Sequence, residues 1–377
     1  MKVLITDIHH GNGGGHVTYI LGLLRGLAHQ CDFTLAAPAT GRLYREALQV
    51  PGVRVLPGLY TARIGTALSE IWSLRRFLQR EAFDIVHCNG STDHRHVMIA
   101  CKTLPNPPVI IWTKHNTNRL HSVGNRLRAR FGTDLCIAVS DYVARQLAHS
   151  DYRRCNVERI YHGLDLEHYR PVSPQEKWAA RQTLFGSTLP ENCLVLGSVG
   201  GTDLEKGWLL LVEAVARLEP ELKQRIRVVV VAGDPPAAAV CEKVQALGCA
   251  EQVLFPGLVK DVRSVLAACD VGFVLSYKES ASYACYESLA LGLPVLISNA
   301  GGLPESIEHL HEGWVVPCGD VGAIEVHVRD MLCQKYCLQT VGRRARKRAE
   351  KRFDAQRFSV DTYQAYLKAR ALSASVG

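Results

Sequence analysis

The amino-acid sequence predicts an α/β protein built from two doubly wound parallel-sheet domains. Short apolar runs alternate with helical segments along the whole chain, a pattern typical of parallel sheets with helices on both faces. The alternation is interrupted between residues 166 and 190, where Pro171 and Pro174 mark the best candidate for a linker. The length of 377 residues also favours more than one domain.

Short apolar runs define the strands, and the segments between most of them read as helices. In the first series the strands are Lys2–Thr6, Phe33–Ala37, Val53–Leu56, Ile85–Cys88, Val109–Thr113 and Leu135–Val139. In the second series they are Leu194–Val199, Arg227–Ala232, Gln252–Phe255, Val271–Ser276, Pro294–Ser298 and Trp314–Pro317. The clearest helices are His16–Ala28, Trp208–Leu218, Ala238–Leu247, Val262–Ala268, Tyr283–Leu291 and the amphipathic tail Asp354–Ala371.

The composition excludes a disordered chain and a membrane-spanning one. Apolar residues make up 47% and charged residues 21% of the sequence, which is ordinary for a globular protein. No apolar run approaches the roughly 18 residues of a membrane span, and the N-terminus reaches Asp7 too soon for a signal peptide. The 13 Cys are scattered without a CxxC pair, so we expect reduced, buried thiols rather than disulfides or a metal site. These features predict a soluble cytoplasmic protein.

The net charge of +8 belongs entirely to the first half of the chain. Residues 1–170 carry 21 Lys and Arg against 13 Asp and Glu, whereas residues 171–377 carry 23 of each. Basic and apolar residues are interleaved in the stretches 72–78 and 126–131. This bias suits an anionic partner such as a lipid surface, a phosphorylated glycolipid or nucleic acid. The alternative is a solvated helix face with buried arginine stems.

Two glycine-rich loops follow strands, at the carboxyl ends where open α/β sheets bind their ligands. Gly11–His16 opens a helix, so its backbone N–H groups can approach an anion, but it matches neither the dinucleotide fingerprint nor the P-loop. The alternative is a flexible turn. Gly200–Gly207 places Lys206 at a helix start, where it suits a phosphate; the alternative is an exposed loop lysine.

The most specific motif is Lys278–Glu287, which follows a strand of the second series. Glu279 lies at the end of that strand, and Glu287 lies about one turn into the next helix. Two carboxylates placed there suit the recognition of paired hydroxyls. The alternative role, stabilising the helix dipole, explains Glu279 well and Glu287 less well. His115 follows a strand of the first series and is either a polar group in a cleft between the domains or a surface histidine.

These motifs occur in the order found in retaining glycosyltransferases of the GT-B fold, family 4 type, which the sequence resembles over essentially its whole length. The most specific match is the pair Glu279 and Glu287 followed by Gly292–Val295. The other matching pieces are Gly13–Gly15, Ala138–Ser140, Ile160–Asp165, Glu205–Gly207 and Gly301–Glu305.

The resemblance also implies how the chain is divided. It implies an N-terminal, acceptor-binding Rossmann-like domain over residues 1–168. A C-terminal, nucleotide-sugar-binding Rossmann-like domain would follow over residues 169–353, with a cleft between the two. A C-terminal helix, residues 354–377, would cross back to the first domain.

The resemblance further implies roles for residues of the second domain. Lys206 would contact the diphosphate of a nucleotide sugar, Glu287 the ribose hydroxyls and Glu279 the hydroxyls of the transferred sugar. Backbone amides near Ala281 and Ser282 would serve the sugar and the phosphate. Donor binding is thus expected to draw on several groups of this one domain.

In the first domain, the resemblance implies that Gly14 and Gly15 approach the diphosphate and that His115 lies beside the donor sugar and the acceptor. His115, Glu279 and Lys206 form the expected catalytic set. The sequence contains no Asp-x-Asp triplet, so no metal and no other cofactor is expected. Lysine, amides and helix N-termini must then neutralise the leaving diphosphate.

The sequence departs from the family pattern at two positions. Gly201 stands where the family usually has an arginine that contacts the diphosphate, and His162 stands where an asparagine is usual before Gly163. We hypothesise that Lys278 or Lys260 replaces the missing arginine. The first departure leaves one cation fewer for the diphosphate.

The leading prediction is a metal-independent, retaining, hexosyltransferase-like enzyme that moves a sugar from a nucleotide sugar to a lipid-linked or surface-polysaccharide acceptor of the lipopolysaccharide type. Its basic half predicts peripheral contact with the anionic inner face of the cytoplasmic membrane, in cell-envelope biosynthesis. No nucleic-acid partner is expected. The alternatives are a sugar-nucleotide epimerase or a phosphorylase on the same fold, or a non-catalytic polyanion binder.

Overall fold

A computed structural model describes residues 1–11, 14–58, 60–61, 63–186, 189–190, 192–231 and 238–374. The chain divides into two units: unit 1 is Met1–Gly163 with Ala355–Gly377, and unit 2 is Leu164–Asp354. The division falls after Gly163 rather than after residue 168. The reason is local pairing, because the Leu164 N–H donates to the Phe353 carbonyl at 2.7 Å and Leu164 forms a β-bridge with Asp354.

Unit 1 contains a seven-stranded parallel sheet in the described part of the chain, with strand order β3-β2-β1-β4-β5-β6-β7. Its strands are β1 Lys2–Thr6, β2 Asp32–Ala37, β3 Val53–Pro57, β4 Ile85–Cys88, β5 Val109–Lys114, β6 Leu135–Ala138 and β7 Asn156–Arg159. The helices between them are α1 Gly15–Leu27, α2 Arg42–Ala47, α3 Ile64–Glu81, α4 Ser91–Cys101, α5 Val123–Phe131 and α6 Asp141–Ala148, with a 3₁₀ turn at Asp151–Arg154.

Unit 2 contains a six-stranded parallel sheet among its described residues, with strand order β10-β9-β8-β11-β12-β13. Its strands are β8 Leu194–Ser198, β9 Ile226–Val230, β10 Val253–Leu254, β11 Val271–Val274, β12 Val295–Ser298 and β13 Gly313–Val316. Its helices are α7 Pro174–Phe185, α8 Trp208–Ala216, α9 Pro220–Lys223, α10 Ala238–Ala246, α11 Arg263–Leu266, α12 Tyr283–Ala290, α13 Val321–Leu332 and α14 Leu338–Arg352. Short 3₁₀ turns lie at Leu204–Lys206 and Leu303–Ser306.

The two sheets confirm the predicted fold class, because each is wholly parallel and has helices in its crossovers. In unit 2 the fully buried side chains of Trp208 and Trp314 belong to the core cluster that also holds the buried residues of α8. The last helix, α15 (Ala355–Ala374), packs against α1 and therefore belongs to unit 1. No helix within the described residues is both long and apolar enough to cross a bilayer.

The structure contains several elements that the sequence analysis did not predict, among them an edge strand and a helix in the expected linker. Strand β7 was not predicted, because its sequence Asn-Val-Glu-Arg lies at a sheet edge and is largely solvent-accessible, so it has no apolar run. The expected linker instead contains α7, which begins with Pro174 at its first position. Ser173 and Glu176 cap this helix reciprocally: the Ser173 hydroxyl accepts from the Glu176 N–H, and the Glu176 carboxylate accepts from the Ser173 N–H.

One carboxylate anchors α7 to unit 2. Asp270 accepts from Lys177 Nζ at 2.6 Å, from Arg181 at 2.5 Å and from the backbone N–H of Val195 at the start of β8 at 2.8 Å. A carboxylate with three donors on two elements holds them together more firmly than a solvated ion pair does.

Replacing Asp270 by alanine is therefore expected to destabilise unit 2 by about 3 kcal/mol, because a half-buried Arg and Lys lose their partner together with a strand N–H. Urea unfolding monitored by circular dichroism measures the change. Asp361→Ala, which removes only the exposed pair with Arg357, is the control and is expected to change stability by less than about 1 kcal/mol. Equal effects of the two variants would contradict the anchoring role.

Candidate active site

The polar residues predicted for the second domain gather at the carboxyl edge of the unit 2 sheet. The chain continues from β8 to β9 on one side and returns to β11 on the other, so β8 and β11 flank the topological switch point where such sheets bind ligands. Lys206 follows β8 and Glu279 follows β11. Their side chains meet, with Lys206 Nζ 3.2 Å from Glu279 Oε2, and the Ser276 hydroxyl donates to the same oxygen at 3.2 Å.

Two glycines allow these loops to come together. Gly207 has φ +70°, and a Cβ there would collide with the carbonyl oxygen of Leu275. Gly301 has φ +55°, and its Cβ would collide with the carbonyl oxygen of Glu279, which accepts from the Gly302 N–H at 2.9 Å. Both positions therefore require glycine, and the motifs Glu-Lys-Gly and Gly-Gly-Leu-Pro-Glu serve to bring backbone to backbone around Glu279.

Opposing influences act on the Glu279 carboxylate. Burial raises the pKa of Glu279 above its ordinary value, while the charge and hydrogen bond of Lys206, and the hydrogen bond of Ser276, act to lower it. The lysine is thus the main group that favours the ionised carboxylate. A ligand that attracts Lys206 would also change the electrostatics of Glu279.

Helix α12 places the other predicted residues of unit 2. Ala281 and Ser282 are buried just before the helix, and the Ser282 hydroxyl caps it by accepting from the Cys285 N–H at 3.4 Å. Glu287, in the second turn, is buried and accepts from the Tyr169 hydroxyl at 3.1 Å. Sequence analysis missed Tyr169 because it lies in the stretch interpreted as a linker.

The structure also describes the position where the sequence departs from the family pattern. Gly201 has φ +104°, a conformation that an arginine rarely adopts, although the space around its Cβ position is open. The glycine that replaces the usual arginine is therefore found together with a backbone conformation that favours glycine. Lys278 and Lys260, the two hypothesised replacements, are both exposed.

In unit 1 the glycine-rich loop leads into α1. Gly14 immediately precedes the helix with φ +109°, and Gly15 begins it; both are exposed. No side chain caps this helix among the described residues, so its first N–H groups can face an anion. Gly13, which the sequence analysis also matched to the family, lies outside the described residues.

His115 follows β5 and is half-buried among aromatic rings and an amide. Its Nε2 lies 2.9 Å from Asn89 Oδ1, and its ring meets the edge of the Tyr19 ring with centroids 4.7 Å apart. Burial, followed by the nearby imidazoles of His162 and His16, holds the pKa of His115 well below its ordinary value. His115 is therefore a neutral group at pH 7.

A chain of buried hydrogen bonds lies behind this histidine. The hydroxyl of Tyr19 is 3.1 Å from that of Thr113, which is 2.6 Å from His87 Nε2. His87 Nδ1 is 2.7 Å from the hydroxyl of Tyr366 on α15. The last helix thus completes the polar interior of unit 1. Sequence analysis missed these partners because their separation along the chain reaches 279 residues.

One cluster in the described residues has the composition of a metal site, which the sequence analysis did not anticipate. The ligand atoms of Asp7, His9 and His16 lie within 4.8 Å of one another. Asp7 is fully buried, and its Oδ1 is 2.8 Å from His9 Nδ1. Burial, with a further contribution from His9, lowers the pKa of His16 to about 4, so this imidazole is neutral at pH 7. Asp7 directly follows β1, and that position is the signal that could have indicated it.

Two family models match the chain. One, described as glycosyl transferases group 1, matches residues 181–351, and one, described as glycosyltransferase family 4, matches residues 13–168. Together with the two parallel sheets, these matches define a glycosyltransferase of the GT-B fold. The first part of the chain thus matches glycosyltransferase family 4 and the second part glycosyl transferases group 1, which confirms the enzyme class that the sequence motifs predicted.

Curated relatives and solved structures agree with this class. The D-inositol 3-phosphate glycosyltransferase of Stackebrandtia nassauensis is 36% identical over 41% of this chain and 36% of its own length. The N-acetyl-alpha-D-glucosaminyl L-malate synthase of Bacillus anthracis is 25% identical over 74% of this chain and 73% of its own length. The structure of Anabaena Alr3699/HepE in complex with UDP-glucose has a TM-score of 0.83 at 20% identity and covers 98% of this chain and 100% of that one.

A structure of WaaG, a glycosyltransferase involved in lipopolysaccharide biosynthesis, has a TM-score of 0.71 at 17% identity. It covers 97% of this chain and 99% of that one. These structural likenesses support the fold that the two sheets show. The chain matches only about a third of the length of the first-named relative, the inositol-phosphate enzyme.

Buried histidines make unit 1 sensitive to acid. Burial lowers the pKa of His87, His94 and His162 to about 3, whereas each has an ordinary pKa near 6.5 when the chain is unfolded. Their stabilising effect is complete above pH 6.5 and is lost as the pH falls from 6.5 towards 3, because only the unfolded chain binds the protons. Each of these histidines lowers the free energy of unfolding by about 1.4 kcal/mol for every unit by which the pH falls within that range.

We therefore expect the melting temperature to fall by several degrees between pH 7 and pH 5.5, as measured by differential scanning fluorimetry. His94→Gln, which retains a donor for the Gly132 carbonyl, is expected to weaken this pH dependence. His121→Gln, at an exposed histidine, is the control and is expected to leave it unchanged. A melting temperature that is constant over this range would contradict the neutral, buried state of these imidazoles.

Proposed function

We propose that the protein is a metal-independent, retaining glycosyltransferase that moves a sugar from a nucleotide sugar to a lipid-linked or surface-polysaccharide acceptor. The observation that carries this proposal is the meeting of Lys206 and Glu279 at the switch point of the unit 2 sheet, 3.2 Å apart. A cation and a carboxylate in one crevice match the two parts of such a donor, its diphosphate and its sugar hydroxyls. The UDP-glucose complex of the structurally similar Anabaena protein supports a nucleotide-sugar donor.

Each residue of unit 2 has a role that its surroundings support. Lys206 turns from Glu279 to the diphosphate and stabilises the charge that develops as the sugar leaves. Glu279 then accepts hydrogen bonds from sugar hydroxyls, and Glu287, held by Tyr169, accepts from the ribose. The amides of Ala281 and Ser282 serve the sugar and the phosphate.

In unit 1, the uncapped start of α1 at Gly14 and Gly15 offers N–H groups to the diphosphate. His115 lies beside the donor sugar and the acceptor and stays neutral. Fixed donors of this kind make a metal unnecessary for the leaving group. The transfer reaction is therefore expected to proceed in the presence of a chelator.

The donor site is tested by comparing lysine variants. Lys206→Ala is expected to lower the transfer rate about 100- to 1,000-fold, because one charge-stabilising donor is typically worth ~3–4 kcal/mol in the transition state. It should also reduce the thermal shift that nucleotide sugars produce, measured by differential scanning fluorimetry with and without each sugar. Glu279→Gln combined with Glu287→Gln should abolish that shift.

Lys347→Ala, at an exposed lysine of α14, is the control and should retain both the shift and the transfer rate. Lys278→Ala and Lys260→Ala test the hypothesised replacement of the missing arginine. Full activity in both would reject that hypothesis without affecting the role of Lys206. Full activity of Lys206→Ala would reject the donor site itself.

A surface of unit 1 supports an acceptor in an anionic membrane. Trp72 on α3 is 53% exposed, and the guanidinium groups of Arg75 and Arg76 lie 5.5 and 5.2 Å from its ring. Lys102 Nζ lies 3.9 Å from the centre of the Phe131 ring, which is 45% exposed at the end of α5. These five residues are named here the basic–aromatic face.

The two parts of this face are connected. Arg75 donates from Nε to the Thr103 hydroxyl at 2.8 Å, directly beside Lys102 in the chain. Exposed aromatic rings among cations suit the interface of a bilayer, where rings enter the headgroup region and cations meet anionic lipids. The net charge of +8 in residues 1–170 acts in the same direction.

The enzyme is expected to cosediment with vesicles that contain phosphatidylglycerol and to be released as salt is raised, because screening weakens the attraction. Arg76→Gln combined with Lys102→Gln should weaken the binding about 30-fold, since each cation near the surface is worth ~1 kcal/mol. Arg344→Gln combined with Lys347→Gln removes the same charge from exposed positions of unit 2 and is the control. Equal weakening of vesicle binding in the two double variants would show that the binding depends on net charge alone and not on the basic–aromatic face.

A second candidate acceptor is a small soluble anion. It is supported by the names of the relatives, which are a D-inositol 3-phosphate glycosyltransferase and an N-acetyl-alpha-D-glucosaminyl L-malate synthase. Transfer to such an acceptor that is independent of vesicles, with no binding to anionic vesicles, would favour it over a lipid-linked acceptor.

A further inference from the structure

We propose that Asp7, His9 and His16 form a binding site for a divalent transition-metal ion of the zinc type, wholly within unit 1. The three residues lie where β1 ends and α1 begins, and the ligand atoms that they offer lie within 4.8 Å of one another. None of the three has a role in the sugar transfer proposed above, so this inference goes beyond the proposed function. The transfer reaction does not require the ion.

The set of ligand atoms indicates the class of ion. Imidazole nitrogen and carboxylate oxygen are typical ligands of Zn²⁺, and imidazole also suits the neighbouring first-row transition metals. Mg²⁺ and Ca²⁺ prefer oxygen ligands throughout and would find a single carboxylate here. Three protein ligands leave at least one coordination position for water.

Asp7 is a buried carboxylate without a permanently charged partner in the described part of the chain. Its side chain is fully buried, and its ion-pair contacts among the described residues are with the imidazoles of His9 and His16, at 2.8 and 4.0 Å. No lysine or arginine of those residues lies within 4.0 Å of it. Buried charges are normally paired or coordinate a metal. A divalent ion would give this carboxylate the positive partner that its burial requires.

His9 holds the carboxylate in place and offers the second ligand atom. Its backbone N–H donates to Asp7 Oδ2 at 3.2 Å, and its Nδ1 lies 2.8 Å from Asp7 Oδ1. An ionised carboxylate only accepts, so His9 donates a proton from Nδ1. When a metal binds, the metal–nitrogen bond forms in place of the N–H bond, and the proton leaves to solvent.

His16 supplies a buried nitrogen that no hydrogen bond satisfies. Its Nε2 has no hydrogen-bond partner among the described residues, and it lies 4.0 Å from Asp7 Oδ2, beyond hydrogen-bond distance. Its ring also lies against that of His9, with centroids 3.6 Å apart. A buried polar atom without a partner calls for an ion or a water molecule beside it.

The distances are close to those that a metal requires. In a tetrahedral zinc site with bonds of about 2.0–2.1 Å, two ligand atoms lie about 3.3 Å apart. The separation of 2.8 Å between His9 Nδ1 and Asp7 Oδ1 must therefore widen, and that of 4.0 Å between His16 Nε2 and Asp7 Oδ2 must shorten. Both changes amount to less than about 1 Å and are within reach of side-chain adjustment.

The site is open to solvent on one side and joins two elements. The side chain of His9 is 42% exposed, which gives an ion a route of entry. Asp7 directly follows β1, and His16 is the second residue of α1. An ion bound to both therefore ties the first turn of α1, which no side chain caps among the described residues, to the end of the strand.

Isothermal titration of the full chain with Zn²⁺ in a thiol-free reducing buffer tests the site. Wild type is expected to bind one ion that is lost in His16→Gln and in His9→Gln. Each replacement should weaken this binding at least about 100-fold, because even a group that only supports a ligand is worth ~10–100-fold. His9→Gln changes a half-exposed side chain, and thermal unfolding without metal verifies that both variants are folded.

His10→Gln is the matched control. His10 is exposed and adjacent to His9, and its Nδ1 lies 3.0 Å from the Thr40 hydroxyl, away from the cluster. This variant should bind Zn²⁺ as wild type does. No zinc binding by wild type, or equal binding in wild type, His9→Gln and His16→Gln, would overturn the proposal.

Titration with Co²⁺ distinguishes this site from exposed thiols, which Cys318, Cys333 and Cys337 also offer to metals. Cobalt held by nitrogen and oxygen absorbs in the visible range without the near-ultraviolet bands of a cobalt–thiolate bond. The visible bands are expected in wild type and His10→Gln and should be absent from His16→Gln. A cobalt spectrum that consists of thiolate bands only, and is the same in all variants, would overturn the proposal.

Discussion

The close approach of backbone to backbone at two glycines is the constraint on which the unit 2 site depends. Gly207 lies against the Leu275 carbonyl and Gly301 against that of Glu279, both with positive φ. These contacts hold the loops after β8, β11 and β12 close together at the switch point of the sheet. Only then does the Lys206 amine reach the Glu279 carboxylate, so the chemistry of the site follows from the absence of two β-carbons.

In unit 1 the polar residues are held by burial and hydrogen bonds rather than by close backbone contacts at glycines. His87, Thr113 and Tyr19 form a hydrogen-bonded chain that ends on Tyr366 of the last helix. Inside such a chain an imidazole stays neutral and acts through fixed donors and acceptors, because its cation would have to be desolvated. The neutral state of His115 belongs to this pattern. Because His115 is neutral, the positive charge in the proposed mechanism comes from Lys206 and from helix N-termini.

In the proposed function, unit 2 by itself presents a cation and carboxylates to a donor that is at once anionic and rich in hydroxyls. In this proposal the charge of the diphosphate is stabilised by Lys206, whose partner in the structure is the Glu279 carboxylate, so one ion pair must break for the lysine to reach a ligand. In the same proposal, the basic–aromatic face of unit 1 adds an affinity for anionic surfaces that weakens as the ionic strength rises.

The sequence by itself determined the class of fold, the family and the motifs around Lys206, Glu279 and Glu287, because apolar runs and short glycine-rich loops are local signals. The sequence analysis did not predict β7, an edge strand without an apolar run. It interpreted Pro174 as part of a linker, whereas Pro174 is the first residue of helix α7. Only the tertiary structure decided the partners of the site residues. The contacts of Asn89, Tyr19 and Tyr169 join residues that are far apart in the sequence. Such contacts arise when separate strands end at the same edge of a sheet, and no local sequence pattern encodes them.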